Sequence, residues 1–494
     1  MRKFLLVMFL LLPLASPAHV GNPDVYYDGY AGPYHLLVIL RPPLVVPGVA
    51  QIEIRSTAND VDQIKVLPLR IIGPGAKMAP LPDLTQRSSA DPKLFTGSLW
   101  IMMRGSWKVQ IQAKGQKGEA ELAVPMPAVS SSSQPMHAGM SILLACLGLA
   151  LSAGLISIIG ASGRDAALEA GKAPGPEQKI RGRIGMTIAT VIVVGALISG
   201  NVWWGQEAHA NARLNYKVPH VGSSLLAGNV LRLRLDNPNE SEPTRFHSEQ
   251  PDRIRLDDLI FDHGHVMHLF LVRMPDMKSF WHLHPDQNTP GDFAQNLPVM
   301  PAGEYQIYAD IVHHTGFPET QVGTITLPAI TGTQLSGDDS GAVDLSASEN
   351  MAQLSDGYRM VWKRDFAPGP VGQRSKVPPL KANQPIWFRF HIEDKDGKPA
   401  TDLEPYMGMA AHAVFMSTDG KIFAHVHPAG SVSMAAVKLA EDANTQTGMD
   451  KMNHAASNEI SFPYGFPQAG DYRIFVQVKR AGKVETGSFA AKVE

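Results

Sequence analysis

The sequence predicts a mainly β protein, with three immunoglobulin-like β-sandwich domains outside a membrane and two transmembrane helices. The chain of 494 residues is too long for a single hydrophobic core, and its 44 Gly and 38 Pro favour many turns. Short runs rich in β-branched and aromatic residues lie between those turns, as is typical of strands. Two segments are apolar over a length that spans a bilayer.

Residues 1–18 have the features of a signal peptide. The start MRK is basic, the run FLLVMFLLL is apolar, and Ser16, Pro17 and Ala18 form a small-residue cleavage site. The apolar run is too short to cross a bilayer, so these residues are excluded from the fold. Cleavage after Ala18 would make His19 the first residue of the mature chain.

Residues 140–160 and 184–204 are predicted to be transmembrane helices, because neither segment contains a charged residue. The loop 161–183 between them is basic, and short basic loops stay in the cytoplasm. Both large regions are then expected in a bacterial periplasm, anchored in the inner (cytoplasmic) membrane. The alternative is that both segments are buried helices of a soluble protein. The basic residues of the loop are Arg164, Lys172, Lys179, Arg181 and Arg183.

The strand-like regions divide into three domains. Residues 19–128 contain several β-rich runs, among them YHLLVIL, QIEIRS and WKVQIQA, and are predicted to form the first sandwich. A linker at 129–139 leads to the membrane. Residues 209–330 and 358–494 are predicted to form two further sandwiches, joined by a polar linker at 331–357.

The last two domains are an internal repeat. The run DLIFDHGHVMH, from Asp258, aligns without a gap with DLEPYMGMAAH, from Asp402. The run AGEYQIYADIV, from Ala302, aligns with AGDYRIFVQVK, from Ala469. Because the aligned runs are strand-like, a tandem pair of sandwich domains is predicted.

The repeat contains two matched sets of three histidines. In FWHLHPD, His282 and His284 are two residues apart on a strand and project from the same face. A hairpin can bring His268 alongside them, and three converging imidazoles form a metal site. Each repeat is therefore predicted to hold one site, unless the histidines only pack in the core. The sets are His268, His282 and His284 in the first repeat, and His412, His425 and His427 in the second.

A second histidine pair changes between the repeats. His263 and His265 align with Met407 and Met409 around a shared glycine. This exchange keeps copper ligands but loses zinc ligands, because thioethers prefer Cu(I). Copper is therefore the predicted metal, zinc ranks below it, and the second repeat is expected to favour Cu(I) more than the first does. The alternative is that both methionines fill the core.

A third candidate site involves the mature N-terminus. His19 offers an amine and an imidazole together, and His35 is the other histidine of the first domain. The three groups form a possible copper brace. Disulfides contribute nothing to the stability of this chain internally, because Cys146 is its single cysteine and lies in the first predicted span.

The first domain resembles the FixH/YtkA-like group of exported β-sandwich domains, through AGPYHLLVILRPPLVVPG and FTGSLWIMMRGSWKVQI. The resemblance implies a membrane-associated domain linked to copper supply, with a respiratory oxidase or a copper-trafficking protein as partner. It carries over no ligand. The start at His19 is also similar to the copper-resistance protein CopC, although the rest of the CopC pattern is absent. The C-terminal repeats resemble bacterial membrane proteins of unassigned role with a PYMGM…H…FAHxHP pattern.

These patterns favour a membrane-anchored periplasmic protein that binds, stores, senses or delivers copper. The alternative is a structural or interaction ectodomain whose histidines pack without metal. A net charge of −2 without a basic cluster argues against nucleic acid as a partner. An enzyme ranks last, because a metal-dependent hydrolase needs a carboxylate that acts as a base, and Asp310 aligns with Gln477. His313 and His314 fall outside the repeated set and are predicted on the surface.

Overall fold

The computed structural model describes residues 24–72, 79–132, 136–166, 168–169, 171–213, 215–238, 255–364, 378–441 and 457–494. It confirms a mainly β protein, in which every named strand pair of the described residues is antiparallel. Among the described residues, those of 130–216 form one compact unit and the others form a second. The predicted signal peptide and His19 lie outside the described residues.

The first domain consists of two facing sheets. One has the strand order β1-β2-β3-β7-β6 and the other β5-β4-β8-β9. Alternate side chains of both sheets, such as Leu36, Ile52 and Val109, point inward and form a common apolar core. The strands are β1 Val25–Ala31, β2 Tyr34–Arg41, β3 Gly48–Ser56, β4 Val61–Arg70, β5 Asp83–Leu84, β6 Gln86–Arg87, β7 Leu94–Ile101, β8 Gly105–Gly115 and β9 Gly118–Ala128.

The helical unit contains α1, Ala138–Asp165, and α2, Pro176–Arg213. Both helices are long and apolar enough to cross a membrane, and their apolar side chains are largely exposed. They extend beyond the predicted spans, so much of the predicted loop 161–183 is helical. Small residues let the two backbones approach: a Cβ added at Gly182 would lie 2.9 Å from the carbonyl oxygen of Gly160.

The first repeat also has two sheets. Their strand orders are β10-β11-β16-β15 and β12-β17-β13-β14-β19, and β18 pairs with β17. The strands are β10 Gly222–Leu226, β11 Val230–Arg234, β12 Leu259–Ile260, β13 Met267–Met274, β14 Phe280–Leu283, β15 Asp286–Thr289, β16 Asp292–Asn296, β17 Gly303–His313, β18 Pro318–Leu327 and β19 Ser340–Ala342.

The second repeat follows the same plan. Its sheets have the orders β20-β21-β22-β26 and β23-β27-β24-β25, and β28 pairs with β27. The elements are β20 Met351–Gln353, β21 Arg359–Lys363, β22 Ile386–Glu393, β23 Leu403–Glu404, β24 His412–Ser417, β25 Phe423–Val426, α3 Met434–Ala440, β26 Glu459–Tyr464, β27 Gly470–Arg480 and β28 Lys483–Val493.

The region predicted as the polar linker 331–357 contains two strands, β19 and β20. Strand β19 pairs with β14, so that Ser340 lies opposite His282. The polar composition of this region suggested a loop, but β19 covers the edge of β14 that would otherwise expose unpaired backbone groups. As a result, Asp338 and Asp339 lie next to the histidines.

The two repeats pack against each other around a pseudo-two-fold axis. The ring of Phe280 stacks on that of Phe475 at 4.4 Å, and the ring of Tyr308 stacks on that of Phe423 at 4.0 Å. Phe280 aligns with Phe423, and Tyr308 aligns with Phe475, so each stack is the counterpart of the other. All four side chains belong to one buried apolar cluster, and the tandem repeats are therefore joined by a shared core.

His313 is buried, so its predicted surface position is wrong. Its Nδ1 lies 2.8 Å from Asp258, and its Nε2 lies 3.8 Å from Glu319. The second repeat places Arg480 at the same position of its strand, paired with Asp402 and Glu485. Both repeats thus keep a buried cation between two carboxylates, which explains why a histidine occupies this interior position.

Burial of the ring opposes protonation of His313, but Asp258 and Glu319 outweigh it and raise the pKa from 6.5 to about 9. We therefore expect the free energy of unfolding to contain a contribution of roughly 3 kcal/mol that is complete below pH 6.5, declines above it and is lost as the pH passes through about 9. His313→Gln is expected to reduce this dependence of stability on pH. The measurement is the unfolding midpoint of the full chain in detergent at a series of pH values. His314→Gln is the control, because the ring of His314 is 48% exposed on the same carboxylate. Equal slopes in wild type and His313→Gln would contradict the prediction.

Candidate metal centre

The runs HGH and MGM form equivalent tight turns. Asp262 and His265 exchange both backbone hydrogen bonds across the first turn, as Tyr406 and Met409 do across the second. The residue before each glycine has φ near 50°, and each glycine is also in the left-handed region, which is typical of a two-residue type I′ hairpin. His263 and Met407, each the second residue of its turn, therefore lie at the tips. They are separated from His265 and Met409, which end the turns.

These turns and the paired strands bring eight histidines into one continuous cluster. Neighbouring rings have centroids between 3.8 and 6.2 Å apart. The cluster crosses the interface between the repeats. Its members are His263, His265, His268, His282, His284, His412, His425 and His427.

His268, His282 and His284 form the outer site. His268 lies on β13, His282 lies on the paired strand β14, and His284 follows that strand immediately. One ring nitrogen of each lies within 4.8 Å of the others, a separation suited to a common metal ion. The structure thus brings together the three residues predicted from the first repeat.

Each imidazole of the outer site is oriented by an oxygen atom on its far side. His268 Nε2 lies 3.1 Å from the carbonyl oxygen of Asp262, and His284 Nδ1 lies 3.0 Å from a carboxylate oxygen of Asp339. His282 Nδ1 lies 2.9 Å from Oε1 of Gln477 in the other repeat. Such acceptors fix the proton on the outer nitrogen and turn the inner lone pair toward a metal.

The inner nitrogens of His268 and His282 face each other at 3.1 Å. The hydroxyl of Tyr406 donates to the carbonyl of Asp338 at 2.8 Å, so at 3.3 Å it accepts from His282 Nδ1. When His268 Nε2 and His282 Nδ1 carry the protons, the lone pairs of His268 Nδ1 and His282 Nε2 face each other in a buried space. A metal ion between them would remove this repulsion.

His263, His412 and His427 form the inner site. Their ligand nitrogens also lie within 4.8 Å of one another. His263 Nδ1 lies 3.0 Å from the carbonyl oxygen of Met407, and His427 Nδ1 lies 3.2 Å from that of Val432. Among the described residues, the Nε2 atoms of His263 and His427 and both ring nitrogens of His412 are buried without a hydrogen-bond partner. Three unsatisfied nitrogens therefore converge on one point.

The electrostatics keep these rings neutral. Burial, together with neighbouring imidazoles, holds the pKa of His268, His282, His412 and His427 well below the usual range. Burial also lowers the pKa of His284, which Asp339 partly opposes. Neutral imidazole is the form that binds a metal ion, so no proton must be displaced.

The inner site differs from the predicted set of His412, His425 and His427. His263 of the first repeat takes the place of His425, because the pseudo-two-fold packing brings the tip of the first turn across the interface. His425 lies beside both sites, with its Nδ1 3.4 Å from Asp310. Each repeat thus depends on the other for its histidine environment.

His265, Met407 and Met409 are placed differently from one another. His265 stacks on His284 at 3.8 Å, and its Nε2 lies 3.4 Å from Asp338. Met409 packs against an apolar cluster that contains the first domain's core and residues of the second repeat, which favours its alternative role as core filler. Met407 is half-buried at the tip of its turn, and its carbonyl rather than its thioether is the group that orients His263.

His35 lies apart from the cluster. Its Nε2 is hydrogen-bonded to Asp28, and its ring stacks on Tyr30 at 4.6 Å. The hydrogen bond to Asp28 raises the pKa of His35, against the effect of burial. The predicted brace with His19 stays a prediction, because His19 lies outside the described residues.

Four residues that orient the imidazoles were not singled out from the sequence: Asp262, Asp339, Tyr406 and Gln477. For three of them the sequence contains a weak indication of this role. Asp262 and Tyr406 start the two aligned turns, and Gln477 aligns with Asp310. Asp339 lies in the region interpreted as a linker, and no pattern connects it with His284.

Comparisons with known proteins give little further information. A family described as Domain of unknown function (DUF8832) matches residues 373–494, which is the second repeat and less than half of the chain. No curated protein matches the chain. A tetra-tandem repeat of a large adhesion protein is 8% identical over 91% of this chain and 96% of its own, with a TM-score of 0.16. The alpha-2-macroglobulins of Salmonella and Escherichia coli are 8% and 9% identical over 97% and 93% of this chain, and the chain spans 24% and 31% of their lengths, with TM-scores of 0.20 and 0.19. At these TM-scores the likenesses carry no argument, and the second repeat is similar to a family without an assigned function.

Proposed function

We propose that this protein binds copper at the outer and inner sites, as a membrane-anchored protein of the bacterial inner membrane with its β domains in the periplasm. One observation carries the proposal. Two groups of three buried imidazoles each direct nitrogens toward a common point, and those nitrogens are unsatisfied or face one another. Buried polar atoms without partners are costly, and one ion at each site would satisfy the three nitrogens there.

The donor set favours copper over zinc. Both sites offer three neutral imidazoles, which suit copper as well as zinc. Among the described residues, the rings of His263 and His427 in the inner site donate their hydrogen bonds to backbone carbonyls. The carboxylate of Asp262 acts on His263 of the inner site, whereas two carboxylates, Asp338 and Asp339, act on His284 of the outer site. A buried site with less compensating charge disfavours a divalent ion more than a monovalent one. Cu(I) therefore fits the inner site better than Zn²⁺ does.

The buried position of the sites supports storage, sensing or delivery of copper. Catalysis requires a substrate at the metal, and the burial of His268, His282, His412 and His427 leaves little access to one. The resemblance of the first domain to FixH/YtkA-like proteins suggests a respiratory oxidase or a copper-trafficking protein as the recipient. The competing function is that of a structural ectodomain. The packing of His282 on Phe270, with ring centroids 4.3 Å apart, is also consistent with this function.

Metal analysis of the full chain in detergent tests the proposal. We expect two copper ions per chain in wild type, one in His284→Leu, one in His427→Leu and none in the double variant, with copper retained against equimolar zinc. His314→Leu, which changes an exposed histidine outside the cluster, is expected to keep both ions. A folded wild-type chain that retains no copper after dialysis would support the structural alternative.

Reporter fusions test the topology. We expect an export-dependent reporter to be active after Val129 and after Glu494, and inactive after Ala173 between the two helices. The basic residues around the loop are the physical reason, since they resist translocation. Activity at Ala173, or a cytoplasmic signal at either of the other positions, would overturn the orientation.

A further inference from the structure

We propose that His425 connects the two sites, so that copper passes between the outer and the inner site without entering solvent. This inference rests on the proposed function, because it requires both sites to hold copper. It assigns a role to the one histidine of the repeated sets that belongs to neither group of three.

His425 lies between the two sites and contacts both. Its ring centroid is 5.5 Å from that of His268 and 5.7 Å from that of His282, which belong to the outer site. It is 5.5 Å from that of His412 and 4.5 Å from that of His427, which belong to the inner site. A nitrogen of the His425 ring can therefore approach a metal ion held at either the outer or the inner site.

The ring of His425 has an available nitrogen. Its side chain is 7% exposed, and its Nε2 is buried without a hydrogen-bond partner among the described residues. Its Nδ1 lies 3.4 Å from Asp310, whose other oxygen accepts from Thr320 at 2.5 Å. Asp310 thus holds one side of the ring and leaves Nε2 free for a metal.

A shared donor lowers the barrier for transfer between two sites. An ion with three imidazole ligands can accept a fourth before it releases one of the three, so it is never left without ligands. The ring of Phe270 lies 4.9 Å from that of His425 and 4.3 Å from that of His282, and provides an apolar wall along this path. Water competes poorly there, and the ion exchanges between nitrogens instead.

The outer site is flanked by two partly exposed polar side chains. His265, stacked on His284, is 29% exposed, and Asp338 beside it is 32% exposed. The ligands themselves are buried to the same degree, with two buried and one half-buried histidine at each site, so the two sites differ in these flanking side chains. Copper from the inner site is therefore expected to leave through His425 and the outer site.

Release kinetics test the connection. The full chain in detergent is loaded with two equivalents of Cu(I) under anaerobic conditions and mixed with an excess of a chromophoric Cu(I) chelator. We expect a fast phase from the outer site and a slow phase from the inner site. His427→Leu should lose the slow phase, which assigns it.

His425→Leu and His425→Gln are expected to keep two copper ions at equilibrium and to slow the second phase by about tenfold or more, since each removes the intermediate donor. Glutamine retains a hydrogen-bonding group toward Asp310, so it separates the loss of the ring nitrogen from a packing defect. A slow phase in His425→Gln equal to that of wild type would overturn the inference. A wild-type chain that takes up no Cu(I) would instead refute the proposed function.

Discussion

Replacement of Phe423 by alanine is expected to lower the free energy of unfolding by about 3–5 kcal/mol. Phe423 is 1% exposed, stacks on Tyr308 of the first repeat and packs against Phe270 at 5.2 Å. Its removal leaves a cavity in the core shared by the repeats. Denaturant unfolding of the full chain in detergent, followed by tryptophan fluorescence, measures the change.

Phe261→Ala is the matched control, because Phe261 is 69% exposed and its truncation removes little buried area. Exposed substitutions of this kind usually change stability by less than about 0.5 kcal/mol. A comparable loss in both variants would mean that the repeats do not depend on their shared core. A loss confined to Phe423→Ala would show that they are stabilised jointly.

The shared core also connects the two histidine sites. The inner site takes His263 from the first repeat and two ligands from the second, and Gln477 of the second repeat orients His282 of the first. Repeats expressed separately would therefore each lack part of a site. Neither repeat alone is therefore expected to reproduce the metal binding of the full chain.

The outer site could be predicted from the sequence because it depends on local geometry. His282 and His284 are two residues apart on a strand, and His268 lies on the hairpin partner of that strand. Strand alternation alone places such side chains on one face. The mainly β fold followed in the same way from short strand-like runs and frequent turns.

The inner site could not be predicted from local patterns. His263 reaches His412 through the packing of two domains, and its side chain points across the interface because it occupies the tip of a type I′ turn. The alignment of His263 with Met407 was visible, but it suggested that each turn serves its own repeat. The burial of His313 was missed for a related reason, because its counterpart Arg480 differs in type although it forms the same ion pairs.

The two sites also differ in the charged side chains beside them. Asp339 accepts hydrogen bonds from the ring and the backbone N–H of His284, and Asp338 lies beside His265. These carboxylates offset the charge of a divalent ion at the outer site. At the inner site, the rings of His263 and His427 donate to neutral carbonyls, and Asp262 is the carboxylate that acts on His263. The outer site is therefore expected to tolerate Cu(II), and the inner site to favour Cu(I).

Asp339→Asn is expected to weaken Cu(II) binding at the outer site by about 10–100-fold, as is typical when the group that orients a ligand is changed. Cu(I) binding should weaken less, because a monovalent ion gains less from the lost carboxylate charge. The measurement is competition with a Cu(II) chelator and with a Cu(I) chelator in the His427→Leu background, where the outer site is the one left intact. Asp292→Asn is the control, since Asp292 is paired with Arg232 away from the histidines. Equal weakening of both oxidation states would mean that Asp339 only orients the His284 ring, and the electrostatic basis for two copper sites of different preference would fail.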